Sequence, residues 1–128
     1  MPALLLLAGI ITFAGCGEGG RPDVSDWATN WEALIGTIPT LDKLGSPPDY
    51  ELCGHALGDI REGQAELLPT PDLALDPVVR EWFTVAEDAM FECPPSSSRF
   101  PDLEYVYQEL ARLEAEVTAV LAMAGEDG

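Results

Sequence analysis

Three proline-rich breaks divide most of the chain into four segments. The breaks cover residues 39–48, 69–77 and 94–101. Proline removes a backbone donor and restricts the residue before it, so a helix or a central strand rarely continues through such a break. Within each segment apolar residues recur every three or four positions, and no stretch alternates as a strand would. This pattern predicts four amphipathic helices and an all-α fold.

The first two predicted helices lie on either side of the first break. The first begins near Ser25, a residue type favoured at N-caps, and ends before Pro39. The second runs from about Asp49 to Leu68. Its three glycines, relative to alanine, cost it about 3 kcal/mol of helix stability. The predicted apolar faces consist of Trp27, Trp31, Leu34, Ile35 and Ile38 in the first helix, and Cys53, Ala56, Leu57, Ile60, Leu67 and Leu68 in the second.

The third and fourth predicted helices follow the second and third breaks. The third takes Asp76 as its N-cap and Pro77 as its first helical residue. The fourth runs from Asp102 to about Met123, with apolar residues close to heptad spacing. The predicted apolar faces consist of Val79, Trp82, Ala86, Ala89, Met90 and Cys93 in the third helix, and Leu103, Val106, Tyr107, Leu110, Leu113, Val117, Val120 and Leu121 in the fourth.

The beginning of the chain is apolar and uncharged. As a helix its apolar stretch would be about 20 Å long, against about 30 Å of bilayer hydrocarbon, which is typical of a secretory signal peptide. Phe13, Ala14, Gly15 and Cys16 resemble the lipobox of bacterial lipoproteins. The resemblance implies cleavage before Cys16 and a diacylglyceryl group, with acyl chains such as palmitate, on its sulfur. It places the protein on the extracytoplasmic face of the cell membrane.

This resemblance divides the chain into four parts. They are a signal peptide at 1–15, a lipidated cysteine with a flexible tether at 16–24, a helical bundle at 25–123 and a frayed tail at 124–128. The tether after the cysteine spans at most about 26 Å, so the bundle stays close to the membrane. The alternative is a buried N-terminal helix of a cytosolic domain, and its unpatterned apolar run would need burial on all sides.

Lipidation of Cys16 leaves two cysteines in an exported chain, where a disulfide is the default. Four amphipathic helices with short connections predict an up-down-up-down four-helix bundle. Cys53 lies about 21 Å of helix before the end of the second helix, and Cys93 about 24 Å after the start of the third. If helices two and three are antiparallel neighbours, the two cysteines lie at the same height along the bundle. We therefore expect a disulfide between helices two and three, closing a loop of about 40 residues and worth roughly 4 kcal/mol.

The charge balance excludes several kinds of partner. The chain has 23 acidic and 6 basic side chains and a formal charge of −17. It therefore repels phosphate backbones and anionic lipid surfaces, and no nucleic-acid partner is expected. Motifs of serine hydrolases, phosphate-binding loops and paired-histidine zinc sites are absent from the sequence, and paired cysteines offer no thiol nucleophile. The sequence predicts a non-enzymatic protein without a cofactor.

One polar column on the second helix has a spacing that can bind a divalent cation. His55, Asp59, Glu62 and Glu66 lie at i, i+4, i+7 and i+11. Imidazole and carboxylate groups one turn apart can coordinate a first-row metal. A solvated polar face is the favoured interpretation, because the column lies opposite the apolar face. We expect no metal site.

Aromatic residues collect at the end of the predicted bundle that lies farthest from Cys16. Tyr50, Phe91, Phe100 and Tyr105 lie there, near the predicted disulfide. Phe91 and Tyr105 fall outside the predicted apolar faces. Exposed aromatics rimmed by acids can mark a protein-binding surface. The alternative is that these rings close the end of the core over the disulfide.

The predicted mature region also resembles small uncharacterised lipoproteins of GC-rich Gram-positive bacteria. The resemblance rests on Leu-Pro-Thr-Pro-Asp at 68–72, Leu-Asp-Pro-Val-Val-Arg-Glu-Trp at 75–82 and Phe-Glu-Cys-Pro-Pro at 91–95. It implies no activity. The leading hypothesis is a lipid-anchored envelope protein that binds a protein or cell-wall partner. Second comes a carrier of a small ligand or divalent metal, and third an enzyme of unrecognised type.

Overall fold

The computed structural model describes residues 20–45, 48–93 and 102–127, with backbone alone for 125–127. Within these ranges the chain forms helices and connections and contains no strand, which confirms the all-α prediction. The helices are α1 (Val24–Thr37), α2 (Leu41–Leu44), α3 (Tyr50–Leu67), α4 (Asp76–Glu92) and α5 (Leu103–Asp127). The four long helices match the four predicted segments, and α2 is a single turn within the first proline-rich break.

The four long helices run up-down-up-down, as predicted. The indole nitrogen of Trp27 donates to the carbonyl oxygen of Leu67 at 2.8 Å, which places the start of α1 beside the end of α3. The Tyr107 hydroxyl donates to the carbonyl oxygen of Pro39, which places the start of α5 beside the end of α1. A disulfide joins the first turn of α3 to the residue that follows α4. We call the end where α1 begins the entry end, and the opposite end the disulfide end.

The predicted pairing of Cys53 with Cys93 is confirmed. The two Cα atoms lie 6.2 Å apart, and both side chains are fully buried. Cys53 lies in the first turn of α3, and Cys93 follows the last residue of α4 directly. Antiparallel packing of these two helices brings the cysteines level, as the spacing predicted.

A row of aromatic rings crosses the core from α1 to α4. Trp27 and Trp31 stack with ring centroids 5.5 Å apart, Trp31 meets Trp82 edge to face at 5.1 Å, and Trp82 meets Phe83 at 5.2 Å. Phe83 is missing from the predicted apolar face of α4, although it is fully buried. It is buried because α4 packs against both α3 and α5, so its covered arc is wider than one stripe.

The other predicted core positions divide into a buried and a partly buried set. The buried members are Trp27, Trp31, Leu34, Cys53, Ala56, Ile60, Leu67, Val79, Trp82, Ala86, Ala89, Met90, Cys93, Leu110, Leu113 and Val117. The partly buried members are Ile35, Ile38, Leu57, Leu68, Leu103, Val106, Tyr107, Val120 and Leu121. Most of the partly buried positions lie on α1 and α5, the first and the last of the long helices.

Two predicted N-caps are wrong. Asp23, and not Ser25, caps α1, because its carboxylate accepts a hydrogen bond from the backbone nitrogen of Asp26 at 3.1 Å. Asp76 is the first residue of α4, whose cap is Leu75 without a side-chain bond. The carboxylate of Asp76 is instead held by residues outside the helix. At the other end of the chain, α5 continues past Met123, the predicted end of the fourth helix, to Asp127.

One glycine of α3 lies close against α1. A Cβ atom at Gly63 would lie 2.7 Å from Cδ2 of Leu34, so a side chain there would force the Leu34 side chain to shift. Gly54 and Gly58 face open space. Of the three glycines that weaken α3, only Gly63 lies close to a side chain of another helix.

Candidate functional site

Three aromatic side chains are exposed at the disulfide end. Tyr50 is 59% exposed, Phe91 64% and Tyr105 59%. They belong to three different helices, and we call them the disulfide-end aromatics. These exposures do not fit the alternative in which the rings close the core over the disulfide. Phe100, the fourth residue predicted for this surface, lies outside the described residues.

The starts of α3 and α5 expose Tyr50 and Tyr105 by their local geometry. Tyr50 is the first helical residue after Asp49. The Asp49 carboxylate caps α3 by accepting from the backbone nitrogens of Glu51 and Leu52 at 2.9 and 3.3 Å. Asp102 similarly accepts from the backbone nitrogen of Tyr105 at 3.2 Å. Both tyrosines therefore lie in a first helical turn, beside a capping carboxylate.

Phe91 is exposed because of its position on the helical wheel. Met90, one residue earlier, is buried, and Phe83 two turns earlier is buried as well. A step of about 100° from Met90 carries Phe91 off the covered arc of α4. The helix therefore holds the Phe91 ring at the surface. Two residues later, Cys93 is fixed by the disulfide.

Acidic residues lie close in sequence to the disulfide-end aromatics. Asp49, Glu51, Asp102 and Glu104 are all exposed. Exposed rings offer apolar contact area, and acids beside them attract cationic groups of a partner. The arrangement is suited to recognising a surface that is both apolar and basic.

The entry end has a different chemistry, which sequence patterns did not indicate. Arg21 forms an ion pair with Asp76, with nitrogen-to-oxygen distances of 3.2 and 3.0 Å, and donates to the carbonyl oxygen of Thr70 at 2.7 Å. The Thr70 hydroxyl is fully buried, 2.6 Å from the Asp76 carboxylate and 2.7 Å from the carbonyl of Asp72. The backbone nitrogen of Thr70 donates to the same carboxylate at 3.2 Å.

This network holds the segment before α1 against the loop between α3 and α4. The Arg21 guanidinium, helped by both donors of Thr70, lowers the pKa of Asp76 to about 2 although partial burial opposes the shift. Asp76 therefore stays ionised at any pH near neutrality. An aspartate that the sequence predicted as a helix cap is instead the centre of a tertiary contact.

The His55 column shows no convergence on a metal. His55, Asp59, Glu62 and Glu66 are all exposed, and no group of three or more metal-ligating side chains gathers around one point among the described residues. His55 lines a cavity of about 400 Å³ that Lys43 also lines. A lysine ammonium in the same cavity disfavours a bound cation.

Between α1 and α5 the structure has a groove that the sequence did not indicate. These two helices pack together less closely than α3 with α4 or α4 with α5. The groove has two parts, of about 300 and 520 Å³, that share Ile35 and Glu114. Glu114 accepts a hydrogen bond from the indole nitrogen of Trp82 at 2.9 Å. Glu114 follows Leu113 and interrupts the heptad-like apolar spacing of α5. This charged residue was the signal in the sequence that could have indicated the groove.

The predicted lipid-attachment residue Cys16 lies outside the described residues. No helix within the described ranges is both long and apolar enough to cross a bilayer. In comparisons with known proteins, the chain matches no protein-family model, no curated protein and no solved structure. Support for a function therefore comes from the side-chain geometry and the sequence.

Proposed function

We propose that this chain is a lipid-anchored protein of the extracytoplasmic face of the cell membrane, and that it works as a non-enzymatic binding module. Its partner binds the disulfide-end aromatics. The observation that carries this proposal is the exposure of Tyr50, Phe91 and Tyr105, each more than half accessible on a rigid helix at one end of the bundle.

The direction of the chain supports this arrangement. The lipobox-like residues and the tether precede α1, and α1 begins at the end of the bundle opposite the disulfide. The Arg21–Asp76 ion pair holds the last part of the tether to the entry end. A lipid on Cys16 would therefore place the entry end toward the membrane and the disulfide-end aromatics away from it.

Energetics support binding at these rings. A tyrosine or phenylalanine that buries its ring against a partner contributes strongly to affinity, and tyrosine is enriched among the residues that dominate interfaces. In the free domain, the exposed rings contribute little to folding. Two tyrosines and a phenylalanine on different helices, held by caps and a disulfide, also lose little conformational entropy on binding.

Charge favours a protein as the partner. The acids beside the rings repel anionic wall polymers and attract basic side chains. We therefore favour a protein surface that combines apolar and basic residues over an anionic cell-wall polymer.

The test is capture of partners from membranes with the full-length lipidated protein after mild cross-linking. Phe91→Ala with Tyr105→Ala removes two rings at the disulfide end, and we expect it to abolish a specific cross-linked product. Leu73→Ala with Met123→Ala is the matched control, since these side chains are 73% and 66% exposed at the entry end. Equal loss in both double variants, or in neither, would contradict the proposal.

The anchor has its own test. Wild-type protein from the membrane fraction should carry the mass of a diacylglyceryl group on Cys16 and lack residues 1–15. Cys16→Ser should keep an uncut leader and no lipid. An unmodified Cys16 in the native wild-type protein would refute the anchor without touching the binding surface.

A further inference from the structure

The groove between α1 and α5 has the features of a ligand site. Together its two parts run along most of α1, whose 14 residues span about 21 Å. Their volumes of about 300 and 520 Å³ lie in the range of small-molecule sites. The site lies on the side of the bundle, apart from the disulfide-end aromatics, and it does not depend on them.

The part of the groove nearer the disulfide end is mostly apolar. It is lined by Ile35, Ile38, Leu41, Trp82, Tyr107 and Leu110, among others. The Tyr107 hydroxyl donates to the carbonyl oxygen of Pro39, which also lines this part. Burial raises the pKa of Tyr107 to about 12, so this phenol remains a neutral donor.

The charge where the two parts of the groove meet is the carboxylate of Glu114, and the exposed Glu32 adds a second carboxylate in the larger part. Glu114 lines both parts, and the indole nitrogen of Trp82 fixes one of its oxygens. No basic side chain lines either part among the described residues. Arg112, two residues earlier, turns to Glu81, Glu109 and Glu116 instead. The carboxylate thus faces an apolar groove without a cation to balance it.

We propose that the groove binds a single-chain organic cation. The alkyl chain lies in the apolar part, and the ammonium group pairs with the free oxygen of Glu114. From Glu114 to Tyr107 the groove covers two turns of α5, about 10 Å, which suits a chain of medium length. An ammonium ion compensates a partly buried carboxylate, whereas a neutral chain leaves it unpaired and an anionic chain is repelled.

Three ligands with the same chain test the charge requirement. They are octylamine, 1-octanol and octanoate, each titrated into the purified full-length protein below its micelle-forming concentration. Binding is followed by tryptophan fluorescence and calorimetry. We expect octylamine to bind about tenfold more tightly than octanol, as a charge-assisted hydrogen bond implies, and octanoate not to bind. Equal affinity for the amine and the alcohol would overturn the proposal.

Glu114→Gln separates this site from the general negative charge of the chain. Glutamine keeps an acceptor for the Trp82 indole and removes the charge. Octylamine should then bind about tenfold more weakly, close to octanol. The control is Glu62→Gln, an exposed position on α3 with the same change in net charge. If both variants weaken binding equally, the attraction is non-specific and the proposal fails.

Ala111→Phe tests the groove itself without changing a charge. Ala111 is exposed and lines the apolar part, so a ring there fills the space for the alkyl chain. This variant should lose octylamine binding and retain the thermal unfolding of the wild-type protein. Undiminished binding would show that the ligand lies elsewhere. If Glu114→Gln fails to fold, Ala111→Phe still decides the proposal.

Discussion

The two ends of the bundle are fastened in opposite ways. At the entry end Arg21, Thr70 and Asp76 are held by hydrogen bonds and an ion pair, so their polar groups are occupied by the fold itself. At the disulfide end a buried covalent bond between Cys53 and Cys93 joins α3 to α4, and the Tyr107 hydroxyl donates to the carbonyl oxygen of Pro39. The buried bond occupies no outer side chain, and three large rings are exposed at this end. A covalent link inside the core thus leaves more aromatic surface accessible than a polar network of outer side chains does.

The largest effect is expected from breaking the disulfide end. Replacing both Cys53 and Cys93 by alanine removes a cross-link between residues 40 apart in sequence. On the chain-entropy model this lowers the free energy of unfolding by about 4 kcal/mol. Urea denaturation followed by far-ultraviolet circular dichroism measures the change. Reduction of the wild-type protein should give a similar loss, and a loss below about 1 kcal/mol would show that the entry end dominates stability.

Acid should loosen the entry end and leave the disulfide end intact. The folded pKa of Asp76, about 2, is below its unfolded value of about 3.9, so its contribution is present above pH 4 and is lost as pH falls toward 2. Asp76→Asn lacks this contribution at any pH. We expect it to be about 1 to 2 kcal/mol less stable than wild type near pH 6, after allowance for solvent screening, and the two to converge near pH 2.

The control for the acid experiment is an exposed carboxylate on the same helix. Asp88→Asn removes one negative charge from α4 without touching the network. Its difference from wild type should stay constant between neutral and acid pH. A convergence as large as that of Asp76→Asn would assign the effect to the net charge of −17 rather than to the ion pair.

The middle of α3, between the two ends, allows a matched pair of glycine substitutions. Gly58→Ala should raise stability by about 0.5 to 1 kcal/mol, because the site is open and alanine favours helix. Gly63→Ala should lower it by about 1 kcal/mol, because the methyl group meets Leu34 and crowding outweighs propensity. Thermal melts of both variants give the sign. Two stabilised variants would show that the Leu34 side chain moves aside freely.

The smallest effect is expected at the disulfide-end aromatics. Phe91→Ala and Tyr105→Ala should each change the free energy of unfolding by less than about 0.5 kcal/mol, since both rings are mostly exposed. Urea denaturation provides the measurement. A loss of several kcal/mol in either variant would mean that the ring serves the fold, and the contrast between the two ends would disappear.

The four helices and the pairing of Cys53 with Cys93 could be predicted because both depend on local periodicity. Apolar spacing defines a covered face whatever lies against it, and antiparallel neighbours set the heights of two cysteines by counting residues. The exposure of Phe91 could also be predicted, because its position on the helical wheel lies outside the apolar face of α4.

The remaining features depend on contacts between residues far apart in sequence. Asp76 follows a loop and precedes Pro77, which is typical of an N-cap, but its partners Arg21 and Thr70 come from outside α4. Phe83 is buried because a second helix covers its side of α4. The groove at Glu114 exists because α1 and α5 pack loosely. No periodicity within one helix contains this information.

The Arg21–Asp76 ion pair also determines how a mechanical load would travel. Tension on the chain ahead of Arg21 reaches the first residue of α4 directly, in parallel with the start of α1. The other end of α4 is bonded through Cys93 to α3, so α3 and α4 share the strain as a closed loop. The ion pair therefore shields α1 from part of that tension.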